Sequence, residues 1–337
     1  MRPVAILIAL LLAGWPSAAL SQQSVEEFYR GRKIDLVIGY SPGGTYDLYA
    51  RLVARHLGRH IPGKPLIVPR NMPGAGSRTA ATWLYNIAPR DGTVLATADQ
   101  SLSLQQAAGD TRLKFDTTKF SYIGNPNIEN NTTVTWHASG VKTIEDAKRR
   151  EVTMGATGGS TSSQYPKAMN ALLGTKFRII LGYPGGNDIN LAMERGEVDG
   201  RGSNSWASWK ATRPHWLAEN KINILVQIGL KKAPDLPGVP LLMELAANAE
   251  DRALLRLLSA STQIGRPIFS TPGVPAERVE ALRAAFEAML RDPAFLQEAK
   301  RENFDIDPVS GEAMQKLVEE MVAVPKAQGE RLRRIIE

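Results

Sequence analysis

The chain has 337 residues, of which 43% are hydrophobic and 22% are charged, and its formal net charge is +7. This ordinary globular composition excludes a largely disordered, collagen-like or coiled-coil protein, and the length suits about two domains. The mild, dispersed basic character favours a small anionic ligand over a nucleic acid. Because the chain contains no cysteine, disulfides, thiolate zinc sites and cysteine nucleophiles are excluded as well.

Residues 1–21 are predicted to be a secretory signal peptide rather than part of the fold. Arg2 supplies a short positive start, and residues 4–14 form an apolar run. Ala19 and Ser21 place small residues where a signal peptidase requires them. The alternative, an N-terminal membrane anchor, is disfavoured because the run is shorter than the ~20 residues that span a bilayer. The mature protein is therefore expected to be exported, and to lie in the periplasm of a Gram-negative source.

After the signal, short β-branched apolar runs alternate with segments of helical periodicity. Strands are predicted, in chain order, at residues 34–40, 66–68, 93–97, 152–156, 177–181 and 222–228. Helical spacing of apolar residues fills most of the intervals between them, and it continues from Pro275 to the end of the chain. Strands that alternate with helices predict an α/β fold with mostly parallel sheets.

Three glycine-rich turns stand where a predicted strand meets a predicted helix. Residues 39–47 (GYSPGGTYD) and 182–188 (GYPGGND) are near-copies, and residues 157–163 (TGGSTSS) form a third turn rich in hydroxyl groups. In such turns backbone N–H groups can approach a ligand closely, and a helix start adds roughly half a positive charge, so an anion can bind without Lys or Arg. Ligands lie off the carboxyl ends of the strands in α/β sheets. The three turns are therefore predicted to converge on one cleft between domains.

Several of these residues have two interpretations. Each turn taken alone is a plausible tight connection, with Asp47 and Asp188 capping their helices. Asp47 either caps its helix or contacts an ammonium or hydroxyl group of the ligand. Trp206, Trp209 and Trp216 either line the cleft or pack beneath a loop. The occurrence of three such turns, two of them near-copies, favours a binding site.

Motifs of catalysis and cofactor binding are missing from the sequence. There is no GxxxxGK[ST] loop and no GxGxxG after a strand, which argues against nucleotide hydrolysis and dinucleotide cofactors. His56 and His60 lack the Glu of an HExxH zinc site, and no GxSxG motif supports a hydrolase. The sequence therefore predicts no cofactor, no metal and no catalytic residue.

The order and spacing of several motifs resemble one family, the tripartite tricarboxylate transporter receptors or Bug family. The segments that carry the likeness are residues 40–47 (YSPGGTYD), 70–76 (RNMPGAG), 89–95 (PRDGTVL), 183–186 (YPGG), 196–199 (GEVD), 235–240 (DLPGVP) and 291–293 (RDP). Together they cover nearly the whole mature chain. The chain departs from the family at Pro42, where many members have Ala, and at residues 203–206 (SNSW), which match no family pattern.

The resemblance implies a two-lobed periplasmic binding protein of the type II-like α/β class, which closes on a carboxylate-bearing solute by hinge motion. Lobe 1 is expected to comprise residues 22–124 and 225–337, and lobe 2 residues 125–224. Family members grip a carboxylate through main-chain N–H groups of the first Gly-Gly turn and through bound waters. By this likeness the ligand-binding residues are Tyr40, Ser41, Gly43, Gly44, Thr45, Asp47, Thr157, Gly158, Gly159, Ser160, Thr161, Ser162, Tyr183, Gly185 and Gly186.

The partners implied by the resemblance are a small carboxylate and a membrane permease. The ligand would be a di- or tricarboxylate or an aromatic acid, and the permease the integral membrane subunits of a tripartite tricarboxylate transporter. The protein is expected to be a monomer that binds no nucleic acid. Two alternatives remain open: a receptor that presents its ligand to a membrane sensor, and a periplasmic enzyme acting on carboxylate or phosphate esters.

Overall fold

The structure is a computed structural model and describes residues 23–128 and 130–337. The predicted signal peptide, residues 1–21, lies outside the described residues. Within the part of the chain that is described, no helix combines the length and the apolar character needed to cross a membrane.

Strands and helices alternate along the described chain, as the sequence pattern predicts. The strands are β1 (Lys33–Ile38), β2 (Leu66–Asn71), β3 (Val94–Thr97), β4 (Ser121–Asn125), β5 (Asn131–Trp136), β6 (Val152–Gly155), β7 (Phe177–Ile180), β8 (Gly200–Ser205), β9 (Ile222–Ile228), β10 (Ile268–Ser270) and β11 (Val309–Ser310). The α-helices are α1 (Val25–Tyr29), α2 (Thr45–Leu57), α3 (Arg78–Asn86), α4 (Leu102–Ala107), α5 (Ile144–Arg149), α6 (Thr161–Leu173), α7 (Gly186–Glu194), α8 (Trp206–Thr212), α9 (Pro214–Ala218), α10 (Ala249–Ala260), α11 (Ala276–Leu290), α12 (Pro293–Arg301), α13 (Gly311–Val322) and α14 (Lys326–Ile336).

The first sheet has six strands in the order β11-β4-β10-β3-β1-β2. β1 lies between β2 and β3 and is parallel to both, whereas β10 runs antiparallel to β3 and β4. Ile34, Leu36 and Ile38 on one face of β1 and Val37 on the other are all buried, as expected for a strand covered on both faces. The carboxyl end of β1 leads directly into the first glycine turn, and α2 follows.

The second sheet has five strands in the order β7-β6-β8-β5-β9. β6 is parallel to β7 and β8, whereas β5 is antiparallel to β8 and β9. The carboxyl ends of β6 and β7 lead into the other two glycine turns, which begin α6 and α7. All of β9 belongs to this sheet, including residues 225–228, which lie beyond the expected end of lobe 2 at residue 224.

The α/β class is confirmed, but both sheets are mixed where mostly parallel sheets were predicted. The antiparallel pairs arise where the chain passes between the sheets. β5 brings the chain into the second sheet, β9 is the last strand of that sheet, and β10 returns the chain to the first sheet. These strands need no helical crossover to reach their neighbours.

Apolar side chains pack on the outer faces and hold the helices in place. Leu52 and Val53 of α2 are fully buried in a cluster with the side chains of β1. In the second sheet, the stacked rings of Trp209 and Trp216 lie 5.8 Å apart and pack with Ile189 of α7. Each fully buried side chain of this size contributes roughly 1.5–3 kcal/mol. The starts of α2 and α7 are thus fixed on their sheets.

Candidate functional site

A cavity of about 60 Å³ lies between the two sheets, at the carboxyl ends of β1, β6 and β7. Most of the residues in its wall carry polar side chains. The residues that line it are Tyr40, Gly43, Gly44, Thr45, Tyr46, Asp99, Gln100, Asn131, Thr157, Ser160, Thr161, Ser162, Gly186, Asn187, Ile189, Asn190, Arg201, Ser203, Asn204, Ser205, Ser208, Thr212 and Arg266. The position matches the place where ligands bind in open α/β folds.

The first glycine turn presents an uncapped helix start to this cavity. Gly43 has a φ of +84°, in the left-handed region that favours glycine. Gly44 is the N-cap residue of α2, and no side chain caps the helix there. Since the first N–H groups of a helix have no partner within it, those of α2 remain available to an acceptor in the cavity.

The second glycine turn has the same form and faces the first. Gly185 is the N-cap of α7 and again no side-chain cap is present. A Cβ placed on Gly44 would lie 3.9 Å from the backbone nitrogen of Gly186. The turns also touch directly, because the Ser41 hydroxyl donates a 2.6 Å hydrogen bond to the Asp188 carboxylate. The two near-copies in the sequence are therefore opposite each other in space.

Asp47 holds the first turn rather than facing the cavity. Its carboxylate is 2% exposed and accepts hydrogen bonds from the N–H of Gly43 at 2.9 Å, from Arg51 at 2.9 Å and from the Asn71 amide at 2.8 Å. Burial raises the pKa of the Asp47 carboxyl, but these hydrogen bonds outweigh it and leave the pKa below its usual value. Asp47 is the third residue of α2, so it binds the turn back to its own helix instead of serving as the N-cap.

The third turn, at the start of α6, is closed on itself. Ser160 caps the helix by accepting from the N–H of Ser162 at 3.3 Å. The hydroxyls of Thr157 and Ser162 lie 2.5 Å and 2.8 Å from that of Ser160, and the N–H of Thr157 donates to Ser162. These groups form part of the cavity wall, but most of their hydrogen bonds are made to one another.

The cavity contains one carboxylate, Asp99, among the side chains that are described as lining it. The Tyr40 hydroxyl donates to it at 2.6 Å, and the hydroxyl and N–H of Ser101 donate at 2.5 Å and 2.9 Å. Burial raises the pKa of Asp99, and the hydrogen bonds from Ser101 and Tyr40 offset part of that rise. The Tyr40 hydroxyl is thus engaged with Asp99 and not directed at a ligand.

Two arginines that were not predicted as site residues also line the cavity. Arg201, on β8, donates from Nη1 to the carbonyl oxygen of Gly186 at 3.2 Å and to Oδ1 of Asn190 at 3.1 Å. Burial lowers the pKa of Arg201 to about 9. Arg266 reaches the hydroxyl of Ser205. The wall therefore carries more positive than negative charge, which suits an anion.

The structure brings nine of the fifteen predicted site residues to the cavity wall. These are Tyr40, Gly43, Gly44, Thr45, Thr157, Ser160, Thr161, Ser162 and Gly186. The other six, Ser41, Asp47, Gly158, Gly159, Tyr183 and Gly185, lie behind or beside it. Gly158 and Gly159 sit against the neighbouring turn at Gly76, where a Cβ on Gly76 would lie 2.3 Å from the Gly158 carbonyl oxygen.

The three tryptophans are placed outside the wall. Trp209 and Trp216 are fully buried in the core of the second sheet, where Trp209 donates to the Thr132 hydroxyl at 2.9 Å. Trp206 packs at the edge of the same cluster and donates to Asp235 at 3.1 Å. Packing, not cleft lining, is the role that their positions support.

No cluster of three His, Asp or Glu side chains that could hold a metal ion occurs in residues 23–128 and 130–337. The predicted site is built instead from backbone N–H groups, hydroxyls, amides and guanidinium groups.

The fold is that of two-lobed periplasmic binding proteins. The chain is similar to the periplasmic binding protein BugD, with a TM-score of 0.71 and 19% identity over 92% of this chain and 99% of that one. It is equally similar to MatC from Rhodopseudomonas palustris, solved with bound malate, with a TM-score of 0.71 and 19% identity over 91% of this chain and 99% of that one.

Residues 49–336 match the family described as tripartite tricarboxylate transporter family receptor, TctC. The chain belongs to this family, as the motifs in its sequence predict. A curated relative is the "UPF0065 protein in gbd 5'region" of Cupriavidus necator, which is 27% identical over 309 residues, or 89% of this chain and 87% of that protein. The family and the fold are those of substrate-binding receptors.

Proposed function

We propose that this protein is a periplasmic receptor that traps a small carboxylate between its lobes and delivers it to the membrane permease of a tripartite tricarboxylate transporter. The observation that carries the proposal is the pair of uncapped helix starts, at Gly44 and Gly186, on opposite sides of one cavity. Unpaired N–H groups and the positive end of the helix dipole attract a carboxylate from both sides. The malate in MatC supports a ligand of this chemistry.

The two lobes are built on the two sheets, and the ligand joins them. We take lobe 1 as residues 22–124 and 229–337 and lobe 2 as residues 125–228, which moves the second expected boundary from residue 225 to residue 229 because all of β9 pairs with β5. The direct contact between Ser41 and Asp188 crosses from one lobe to the other and characterises the closed form. A permease that docks only on the closed form would then distinguish loaded from empty receptor.

The ligand contacts are assigned to the two facing turns. Gly44, Thr45 and Gly186 provide N–H groups, and the lack of side chains at Gly43, Gly44 and Gly186 permits a close approach, while Thr157, Ser160, Thr161 and Ser162 shape the adjoining wall. A cavity of about 60 Å³ admits a compact ligand, since a single enclosed water needs ~10–15 Å³ measured in this way.

A receptor is favoured over an enzyme by how the polar groups of the wall are engaged. The Asp99 carboxylate accepts from Tyr40 and Ser101, and the hydroxyls of the third turn bond to one another. The serine that donates to Asp99, Ser101, is not among the residues that line the cavity, and the hydroxyls of the third turn have no carboxylate or imidazole among their hydrogen-bond partners. The geometry therefore supports binding and release of the ligand unchanged.

The test is thermal unfolding of the mature protein with a panel of mono-, di- and tricarboxylates. A ligand at about 100 times its dissociation constant stabilises the folded state by ~2.7 kcal/mol, which raises the melting temperature by roughly 5–10 °C. We expect such a shift for one subset of carboxylates. No shift with any of them, for protein first unfolded and refolded to remove bound ligand, would contradict the proposal. Turnover of a carboxylate or phosphate ester would support the enzyme instead.

A further inference from the structure

A short polar strand places two unusual groups in the cavity. β8 (Gly200–Ser205) has the sequence GRGSNS and lies between β6 and β5 in the second sheet. In a regular strand, residues three apart face opposite sides of the sheet. Arg201 and Asn204 are three apart, yet both line the cavity.

A β-bulge explains how both side chains reach the same face. Asn204 is paired with Thr132 and Arg201 with Val134, so β8 has one more residue than β5 over this stretch. Residues paired across an antiparallel ladder share a face, and Thr132 and Val134 share a face because they are two apart. The extra residue in β8 therefore turns Arg201 and Asn204 to the same side, as bulges beside functional sites do.

Both side chains have unused hydrogen-bond donors. Arg201 uses only Nη1, for Gly186 and Asn190, and among the described residues its buried Nε has no acceptor. No ion pair with a described carboxylate neutralises this guanidinium, and its one ring contact places it 5.6 Å from the centroid of Trp209. The Nδ2 of Asn204 is likewise without an acceptor, on a side chain that is only 5% exposed.

Unpartnered groups of this kind are costly in a protein interior. A buried donor without an acceptor costs about 1–3 kcal/mol, and a buried charge costs more. Desolvation at this site is large enough to lower the pKa of Arg201 to about 9. Both residues line the same cavity, so an anionic oxygen bound there could accept from the guanidinium and the amide together.

We infer that Arg201 and Asn204 form a subsite for a second carboxylate of the ligand, on the β8 side of the start of α7, where Arg201 contacts Gly186. The inference rests on the proposed function and deepens it, because it makes the preferred ligand a compact dianion. The first carboxylate lies between the starts of α2 and α7, and the second lies against β8. Residues 203–206, where the chain departs from its family's motifs, overlap this subsite.

The test compares linear dicarboxylates with their own monoamides. Binding of succinate, glutarate and adipate, each paired with its monoamide, is measured by calorimetry to the mature protein and to Arg201→Gln. We expect the wild-type protein to prefer one diacid over its monoamide. Arg201→Gln should lower the affinity for that diacid by about 30-fold or more, which is the effect of removing one partner of a buried ion pair. The affinity for the monoamide should change little.

Two further variants separate ligand recognition from loss of structure. Arg178→Gln, on β7, removes the same charge from an exposed ion pair with Glu151 and should change the affinity for neither ligand. Asn204→Asp keeps the size of the side chain and offers Arg201 an internal carboxylate. It should lower the affinity for the diacid more than the affinity for the monoamide. It carries the test if Arg201→Gln does not fold.

Two results would overturn the inference. The first is equal binding of diacid and monoamide by the wild-type protein. The second is an equal loss of affinity for both ligands in Arg201→Gln, which would show that Arg201 only supports the start of α7. If carboxylates bind in either pattern, the proposed function stands and only the subsite fails. Absence of binding by every carboxylate would instead remove the proposed function.

Discussion

The glycine turns at the starts of α2 and α7 differ from the turn at the start of α6 in one physical respect. The first two have glycine at the N-cap and no side-chain cap, so their first N–H groups are open to the cavity. The third has Ser160 at the N-cap, and its hydroxyls satisfy one another. Among these turns, glycine at the N-cap leaves the first helical N–H groups without a side-chain acceptor, whereas serine at the N-cap supplies one.

The largest effect is expected when a side chain is added at Gly44, beside the uncapped start of α2. A Cβ there has 3.9 Å of clearance from the nitrogen of Gly186 and no positive φ to oppose it, so Gly44→Val should fold while its methyl groups occupy the gap between the helix starts. We expect carboxylate affinity to fall at least ~100-fold, or about 2.7 kcal/mol. Calorimetry on folded protein measures the loss.

Gly158→Val is the matched control from the third turn. No atom lies within 4 Å of a Cβ at Gly158, and the residue is outside the cavity wall. Its affinity should equal that of the wild type. Equal losses in the two variants would mean that the third turn contributes to binding as much as the first.

The elements that sequence reasoning located are those with their own periodicity. β1, β6 and β9 are apolar and β-branched, and they occur where their patterns predict. β8 was missed because its sequence, GRGSNS, has no apolar residue. It is a strand only because β5 and β6 pair with it on both sides, and its polar side chains are stable there because they face the cavity.

The site was predicted only where a local motif marks it. The strand–glycine–helix pattern identified the turns that hold Gly44 and Gly186. Arg201 and Asn204 carry no such motif, because a bulge in the pairing of β8 brings them together. The third turn was predicted to face the ligand together with the other two, although Ser followed by a helical run is also the usual signature of an N-cap. That signal was available in the sequence at Ser160.

A smaller effect is expected from Asp47→Asn, which tests whether the first turn is rigid by its own bonds. The variant loses the charge that accepts from Gly43, Arg51 and Asn71. Hydrogen bonds to a charged group contribute about 1.5–3 kcal/mol, so urea unfolding at neutral pH should show a loss of stability in this range. Glu145→Gln, from an exposed pair with Lys148, should show almost none.

The same variant also tests how the stability contributed by Asp47 depends on pH. The pKa of Asp47 is lower in the folded protein than in the unfolded chain, where it is ~3.9. Its contribution is therefore fully present above the unfolded pKa and is lost as the pH falls through the folded pKa. The stability difference between wild type and Asp47→Asn should shrink as the pH is lowered below about 4. A difference that stays constant across this range would show that the carboxylate charge does not hold the turn.

The smallest effect on ligand binding is expected at the third glycine turn, where Ser160 caps α6. Ser160→Ala removes the cap of α6, and Ser310→Ala removes an equivalent cap from α13, where Ser310 also accepts from a backbone N–H at 3.3 Å but lies outside the cavity wall. Each should lower the free energy of unfolding by about 1 kcal/mol, the usual value of a serine N-cap. Neither should change carboxylate affinity, because the hydroxyl of Ser160 is already engaged within its own turn. If Ser160→Ala alone weakened binding, the hydroxyls of the third turn would rearrange onto the ligand, and the distinction between open and capped helix starts would hold only for the empty protein.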